Sequence, residues 1–193
     1  MTIRLILVTH ASTPATASAG FPDDEPLDPR GLTAAREASG TLRRFAVAWR
    51  GPERRCAETS EALGLSATAH PALADLDLGS WRGRTLTALG TERPAELGAW
   101  LADPEAAPHG GETVSGLVGR VAGWLGELSE ADSPEGSSRV VAVTHPAVVR
   151  AAVLHVMGAP ANAFWRLDAG PLTQTWLSRH GGRWQLRETG HPL

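Results

Sequence analysis

The sequence predicts an α/β protein of three layers, an α/β/α sandwich whose sheet is mostly parallel with an antiparallel edge. Three observations support this fold class. Short apolar runs rich in branched residues, at 3–8 and 139–143, are typical of strands buried on both faces of a parallel sheet. Segments with a helical spacing of apolar residues alternate with such strands, which favours helices on both faces. Two alternating segments also flank Gly181-Gly182, which predicts a hairpin and therefore antiparallel pairing.

The predicted elements follow one another along the chain. The strands are 3–8, 45–49, 67–73 and 139–143, the helices are 32–45, 54–63, 84–101, 114–128 and 146–157, and the hairpin joins 172–178 to 183–187. Gly64 suits the C-terminal cap of the second helix, Pro94 divides the third into two pieces, and Pro146 fits the first turn of the last. The polar segment that ends near Gly31 is broken by proline and glycine, and 129–138 is predicted to be a solvated turn.

Composition limits the class of protein. A chain of 193 residues with 42% hydrophobic residues is long enough for one domain, here 1–193, with a sizeable core. The single cysteine, Cys56, excludes a disulfide framework and a thiolate-rich zinc site, and no other metal-ligand set is evident. A net charge of -3 without basic tracts argues against nucleic acid or a membrane surface as a partner. We expect a soluble, cytoplasmic protein.

Two histidines directly follow apolar strands. His10 comes after the first strand and His145 after the strand at 139–143, each preceded by a threonine. Ligands of open α/β sheets bind beyond the carboxyl ends of the strands, so both imidazoles can face one pocket. A single histidine in such a position is more often a hydrogen-bonded loop residue. Two in the same topological position favour a shared site.

Two further polar residues also follow strands. Arg55 opens a helix, where its guanidinium could reach the same pocket and bind phosphate through two parallel hydrogen bonds. Asp75 lies in the loop before Gly79, where its carboxyl group could act as a general acid. Each has a simpler interpretation, because surface arginines on helices and turn-capping aspartates are common.

Five segments in order carry a resemblance to a known family. They are 7–13 (Leu-Val-Thr-His-Ala-Ser-Thr), 51–59 (Gly-Pro-Glu-Arg-Arg-Cys-Ala-Glu-Thr), 73–83, 110–113 (Gly-Gly-Glu-Thr) and 144–150 (Thr-His-Pro-Ala-Val-Val-Arg). They resemble motifs of the histidine phosphatase superfamily, which has the phosphoglycerate mutase-like fold. The first resembles its leucine-valine-arginine-histidine-glycine-glutamate-threonine opening, and the second its serine-proline-leucine-x-arginine-alanine-x-x-threonine segment. The others resemble its proton-donor loop, its glycine-glycine-glutamate-serine turn and the segment with its second histidine.

The resemblance implies a mechanism without a metal or another cofactor. His10 would attack a phosphomonoester and become transiently phosphorylated. His145 and Arg55 would stabilise charge on the phosphoryl oxygens, and Asp75, at the position of the family's glutamate, would protonate the leaving alkoxide and later activate water. The substrate would be a small phosphorylated metabolite, and a homodimer is plausible for the family. Sugar phosphates, phosphoglycerate derivatives, nucleoside-type phosphates and peptides all stay open.

Several positions depart from the motifs. Thr9 stands at the motif's phosphate-binding arginine and Thr16 where many members carry a phosphate-binding asparagine, so we assign both to substrate binding. One charge-assisted contact contributes on the order of 1.5–3 kcal/mol. The site then has one guanidinium where the family has two, unless another arginine turns inward, the candidates being Arg30, Arg54, Arg82 and Arg84.

Three hypotheses therefore compete. The preferred one is a phosphohydrolase that acts through phosphorylated His10, because the chain is short for a mutase of this family. The second is a catalytically weakened or inactive member whose phosphate or anion pocket serves a binding or regulatory role. The third is a mutase, or a phosphatase whose true proton donor and substrate differ from the family's.

Other candidate residues receive lesser roles. His109 could edge the pocket, Trp81 could line its mouth, and Glu112 could either support the site or cap the following helix. Arg150 is expected to fix the helix after His145. The other tryptophans are expected to serve in packing; they are Trp49, Trp100, Trp124, Trp165, Trp176 and Trp184.

Overall fold

Six strands form one mixed sheet in the computed structural model of the chain, which describes residues 2–42, 45–128 and 137–193. The strands are β1 (Thr2–Thr9), β2 (Val47–Arg50), β3 (Thr68–Ala69), β4 (Ser137–Thr144), β5 (Thr173–His180) and β6 (Arg183–Pro192). Their order across the sheet is β3-β2-β4-β1-β5-β6. Strands β1 to β4 pair in parallel, whereas β5 is antiparallel to both β1 and β6. The predicted sheet, mostly parallel with an antiparallel edge, is confirmed.

Helices cover both faces of this sheet. They are α1 (Pro14–Ala17), α2 (Pro29–Glu37), α3 (Arg54–Ala62), α4 (Leu86–Glu92), α5 (Pro94–Ala102), α6 (Val114–Glu127) and α7 (Pro146–Met157). Side chains of β1 alternate between two cores: Leu5 and Leu7 pack in the cluster that includes α6 and α7, whereas Ile6 and Val8 pack with α3. This alternation produces the three predicted layers. Among the described residues, no helix has the length and apolar character that crossing a bilayer requires.

Three predicted elements have different bounds in the structure. The first long helix begins at Pro29, because the Asp28 side chain caps it, and ends at Glu37 instead of residue 45. The third strand shrinks to Thr68–Ala69, because Pro71 lacks an N–H for strand pairing and opens a 3-10 turn. The segment before α2 contains α1, which the Thr13 side chain caps. Of the turn predicted at 129–138, residues 129–136 lie outside the described residues and the last two belong to β4.

The remaining elements agree with the prediction. Pro94 separates α4 from α5, Pro146 occupies the first turn of α7, and Gly64, with φ of 74°, follows α3. The hairpin turns at Gly181-Gly182 and its second strand extends to Pro192. The fold thus places β2, β4 and β1 side by side at the centre of the molecule.

Candidate active site

The register of neighbouring strands brings the two strand-terminal histidines together. Thr9 of β1 pairs with Thr144 of β4, so His10 and His145 leave the sheet side by side. The backbone N–H of His10 donates to the carbonyl oxygen of Thr144 at 2.8 Å, and the imidazole centroids lie 5.3 Å apart. On the other side of β4, β2 ends at Arg50, from which the chain continues into α3. Three parallel strands therefore open onto one site at their carboxyl ends.

His10 is a buried imidazole with one nitrogen free for chemistry. Its Nδ1 lies 2.8 Å from the carbonyl oxygen of Ala11, and a carbonyl only accepts, so the tautomer that donates from Nδ1 is assigned here. Burial, followed by the neighbouring His145, lowers the pKa of His10 to about 4. His10 is therefore uncharged at neutral pH, and its Nε2 carries a lone pair. Such a nitrogen is a nucleophile.

His145 is fully buried between two carboxylates. Its Nε2 donates to Oε2 of Glu53 at 2.7 Å, and its Nδ1 lies 3.4 Å from Oδ2 of Asp75. Burial alone would lower the pKa of His145, but the Cys56 sulfur and these carboxylates raise it to about 10. The ring is thus an imidazolium at neutral pH, and it faces the uncharged ring of His10.

Arg55 and Asp75 form an ion pair in the same site. Nη2 of Arg55 donates to Oδ2 of Asp75 at 2.7 Å, and the side chains are 2% and 17% exposed. Burial would raise the pKa of Asp75, but His145 and Arg55 hold it below its ordinary value. The buried Nε of Arg55 has no hydrogen-bond partner among the described residues. The guanidinium therefore retains an uncommitted donor, which suits an anionic ligand.

Glu53 is a member of the site that the sequence analysis missed. It occupies the N-cap position of α3, yet its side chain does not cap the helix. One oxygen binds His145 and the other accepts the backbone N–H of Asp75 at 2.9 Å. Gly51 makes room for this carboxylate, because a Cβ at that position would lie 2.8 Å from Nε2 of His145. The motif itself held the signal, since position 53 is glutamate where the family has leucine and position 51 is glycine where it has serine.

Arg120 of α6 clamps the loop that carries Asp75. Its guanidinium donates to the carbonyl oxygens of Ala72, Ala74 and Asp75 at 2.9, 3.1 and 3.2 Å. Two further bonds, of 2.9 and 2.7 Å, join it to the Glu112 carboxylate. Of the two roles considered for Glu112, the geometry therefore favours support of the site through Arg120, while Thr113 caps α6.

The two threonines assigned to substrate binding differ in their positions. The Thr9 hydroxyl is buried, donates to the carbonyl oxygen of Gly170 at 2.6 Å and accepts the backbone N–H of Thr173 at 2.9 Å. It holds β1 to the segment before β5 and retains no second proton to donate. Thr16, in contrast, lies on the wall of the cavity beside His10. Only Thr16 of the pair therefore faces the space that a substrate would fill.

The arginines considered as replacements for the missing guanidinium stay at the surface. Arg54, Arg82 and Arg84 pair with the carboxylates of nearby acidic residues, and Arg30 is exposed. Arg150 lines the cavity beside His10, and its Nε donates to the carbonyl oxygen of Leu167. Arg82 lines a second cavity, together with Arg55 and Asp75, so both Arg82 and Arg150 border the site.

The aromatic lining of the cavity differs from expectation. Trp81 was expected at the mouth but is fully buried, and it packs against His109, with ring centroids 5.2 Å apart. His109 likewise lies outside the cavity lining. Trp100 and Trp165, both assigned to packing, line the cavity instead. Spacing along a helix does not reveal which buried ring faces a cavity.

One group of side chains offers donor atoms at metal-binding distances. Donor atoms of Glu53, Cys56 and His145 all lie within 4.8 Å of one another in the described part of the chain. The sequence does not reveal this group, because residue 145 lies far from the other two along the chain. The hydrogen bond between Glu53 and His145 accounts for their proximity without an ion.

Phosphoryl transfer through a histidine needs an uncharged imidazole and, beside it, positive charge for the phosphoryl oxygens. His10 meets the first requirement, and His145 and Arg55 meet the second, which defines the class of histidine-dependent phosphoryl-transfer enzymes. The sequence profile of the histidine phosphatase superfamily (branch 1) matches residues 5–191, and the chain belongs to that family. The resemblance inferred from the five motifs is confirmed.

Several characterised proteins are similar to this chain. Phosphoserine phosphatase 1 of Hydrogenobacter thermophilus is 27% identical over 173 residues, which are 84% of this chain and 80% of that protein. Glucosyl-3-phosphoglycerate phosphatase of Mycolicibacterium vanbaalenii is 29% identical over 72% of this chain and 64% of that protein. The native structure of a mycobacterial glucosyl-3-phosphoglycerate phosphatase superimposes with a TM-score of 0.85 at 26% identity, covering 100% of both chains. The relatives are phosphatases, and this chain is an enzyme of the same type.

Proposed function

We propose that this phosphatase hydrolyses a small phosphomonoester in two steps, through a phosphohistidine on His10. The observation that carries the proposal is the pairing of an uncharged His10 with the imidazolium of His145, at 5.3 Å between ring centroids. A neutral nucleophile next to a fixed positive charge matches a reaction in which charge on the phosphoryl oxygens must be stabilised.

In the first step, the lone pair on Nε2 of His10 attacks phosphorus. An N–P bond forms, and the P–O bond to the alcohol breaks with its electron pair on the alcohol oxygen. Asp75 supplies the proton to that oxygen. A phosphoryl group bound by Arg55 would compete with Asp75 for the guanidinium and bring negative charge beside the carboxyl group. Both effects raise the pKa of Asp75, so substrate binding prepares the acid.

In the second step, water attacks the phosphohistidine. The carboxylate of Asp75 accepts a proton from the water, an O–P bond forms, and the N–P bond breaks with its electron pair on Nε2. Inorganic phosphate leaves and His10 returns to its neutral form. Arg55 and His145 act on the phosphoryl oxygens in both steps, and Thr16 is placed to contact the substrate from the cavity wall.

The names of the two relatives give phosphoserine and glucosyl-3-phosphoglycerate as the substrates of those enzymes. For this chain we propose a small phosphorylated metabolite. A homodimer and a cytoplasmic location stay predictions of the sequence.

Phosphate release by the purified protein tests the proposal. A panel of phosphomonoesters is incubated between pH 5 and 8 with wild-type protein, the His10→Ala variant and a His155→Ala control, whose histidine is exposed on α7. We expect release from wild type and the control, none from His10→Ala, and a phosphoryl group on the His10 peptide by mass spectrometry. Full activity of His10→Ala would overturn the mechanism. Phosphate binding without turnover in wild type would favour the binding or regulatory alternative.

A further inference from the structure

A cavity of about 450 Å³ opens beside His10, and its walls are mainly apolar. Aromatic rings form one side of it. The rings of Trp100 and Trp165 lie 4.4 Å apart between centroids, Phe21 meets Trp100 edge-on at 5.7 Å, and Phe164 meets Trp165 at 4.8 Å. Pockets of this size bind the body of a small ligand through such walls and orient it through a few polar groups.

The rim of the cavity is apolar as well. Four large hydrophobic side chains are exposed among the described residues: Leu86, Leu101, Met157 and Trp176. Two of these four, Leu86 and Leu101, lie at this cavity, 42% and 46% exposed. Exposed leucines at the rim of a cavity can cover an apolar ligand inside it. This contact removes water from the apolar surfaces of both, which favours binding.

Charged groups are scarce in the lining. Besides the uncharged His10, the lining has the charged side chains of Asp75, which serves the chemistry, and Arg150, and the hydroxyls of Thr13 and Thr16. The guanidinium carbon of Arg150 lies 5.7 Å from the ring centroids of both Phe164 and Trp165, so it packs over the aromatic wall. The lining therefore offers little to pair with an ammonium group or with the several hydroxyls of a sugar. Burying such groups without partners is costly.

We infer that the substrates of this enzyme are phosphomonoesters of apolar alcohols that carry an aromatic ring. The inference rests on the proposed function, since it names the alcohol that leaves when His10 takes the phosphoryl group. The phosphoryl group binds near Arg55 and His145, and the ring of the alcohol lies against Trp100 and Trp165, with Leu86 and Leu101 over it. Contacts between aromatic rings favour an aromatic ligand through the relative orientation of the rings as well as through the apolar area that they bury.

Three esters of primary alcohols test this inference while the type of leaving group stays the same. They are 2-phenylethyl phosphate, ethyl phosphate and phosphoserine. We expect kcat/KM for 2-phenylethyl phosphate to exceed that of the other two by about tenfold or more, the range that apolar pockets achieve. Equal kcat/KM for the three esters, or a preference for phosphoserine, overturns the inference and leaves the proposed function intact.

Variants at the rim provide the structural control. Leu86→Gln and Leu101→Gln should each lower the ratio of kcat/KM for 2-phenylethyl phosphate to that for ethyl phosphate about threefold or more. Met157→Gln, an exposed apolar residue outside the cavity, should leave this ratio unchanged. A ratio that stays constant in both rim variants overturns the assignment of the cavity.

Hydrolysis through His10 and the preference of the cavity for an aromatic group can be tested separately. The proposed function is overturned when neither these esters nor the phosphomonoester panel releases phosphate. Calorimetric binding to the wild-type protein then decides the cavity: tighter binding of 2-phenylethyl phosphate than of ethyl phosphate supports the apolar site, and equal binding overturns it.

Discussion

The carboxylate of Glu53 accepts a hydrogen bond of 2.7 Å from Nε2 of His145, and together with Cys56 and Asp75 it keeps that imidazole charged. Thr9 leaves the chain without the family's arginine in the first motif, whereas Glu53 is an acid where the second motif has leucine. Burial disfavours the charged form of an imidazole, and the Cys56 sulfur, Asp75 and Glu53 offset this effect at His145. The chain therefore combines the loss of one fixed guanidinium with an imidazolium that the half-buried carboxylate of Glu53 helps to stabilise.

Replacing Glu53 with glutamine removes the negative charge of the side chain but keeps its shape, so the variant tests the effect of the charge. The amide can still accept the hydrogen bond, but it no longer favours the charged ring, so the pKa of His145 falls from about 10. Because the imidazolium is lost as pH rises through that pKa, the alkaline limb of kcat/KM should move to lower pH, with activity on that limb about tenfold lower. NMR titration of the His145 ring provides the direct measurement. Glu61→Gln, exposed on the same helix, is the control, and an unmoved alkaline limb would contradict the role.

His10 should titrate far below an ordinary histidine. Its pKa of about 4 in the folded protein, against 6.5 ordinarily, means that the unfolded chain binds more protons between these values. His10 therefore makes stability rise with pH across that window, and kcat/KM should fall only as pH drops through about 4. For His145 the pH dependence of stability has the opposite sign. Its contribution to the unfolding free energy is complete below pH 6.5 and is lost as pH rises through about 10. NMR of the two rings measures both, and a His10 midpoint near 6.5 would contradict the buried neutral state.

Sequence reasoning located the site but not its electrostatics. His10 and His145 were found because residues at strand ends converge wherever neighbouring strands are parallel and in register. Glu53 was missed, because its partner, His145, follows β4 and only the tertiary fold brings the two together. The available signal was the glutamate at position 53 of a matched motif. The role of this glutamate depends on Gly51, which leaves room for its carboxylate.

Local sequence patterns did not predict two features that depend on tertiary packing: the end of the first long helix and the tryptophan that lines the cavity. The helix predicted to reach residue 45 ends at Glu37, although Leu42 and Phe45 still pack against the core with apolar spacing. Periodicity reports which side chains are buried, and an irregular segment can bury them too. In the same way, Trp81 and Trp100 are both buried, but only the packing of α5 against the loop near Phe21 places Trp100 at the cavity.

Thr9→Val tests whether the first motif threonine binds phosphate or supports the fold. Valine keeps the shape but removes the hydroxyl, which leaves the N–H of Thr173 without its partner and the carbonyl oxygen of Gly170 with the Thr173 hydroxyl alone. We expect a loss of about 1–3 kcal/mol in unfolding free energy with KM for phosphoesters unchanged. Thermal unfolding and steady-state kinetics measure the two effects. A raised KM with unchanged stability would return Thr9 to the substrate-binding residues.

Arg120→Gln should loosen the loop that positions Asp75. The substitution removes the hydrogen bonds to three carbonyl oxygens and the pairing with Glu112. Because Asp75 must sit within reach of the leaving oxygen, a small displacement should lower kcat about tenfold or more while KM changes little. Arg93→Gln, which breaks an exposed pair with Glu96, is the matched control and should leave kcat unaltered. Equal kinetics for both variants would reduce Arg120 to a stabilising residue without a positioning role.

Gly51→Ala tests the space that Glu53 and His145 share. The added methyl group would lie 2.8 Å from Nε2 of His145 and 2.9 Å from both Oε2 of Glu53 and the carbonyl oxygen of Leu73. The carbonyl cannot move easily, so the imidazole and carboxylate must separate, which should lower kcat by about tenfold to a hundredfold and shift the NMR signals of His145.

The matched control for this substitution is Gly119→Ala on α6, where an added methyl group meets nothing within 4 Å. There the substitution only restricts the unfolded chain, so it should raise the unfolding free energy by about 0.4–1 kcal/mol and leave kcat unchanged. Kinetics, thermal unfolding and the His145 spectrum are measured for both variants. Full kcat in Gly51→Ala with an unshifted His145 signal would contradict the prediction, because the added methyl group would then fit without separating Glu53 from His145.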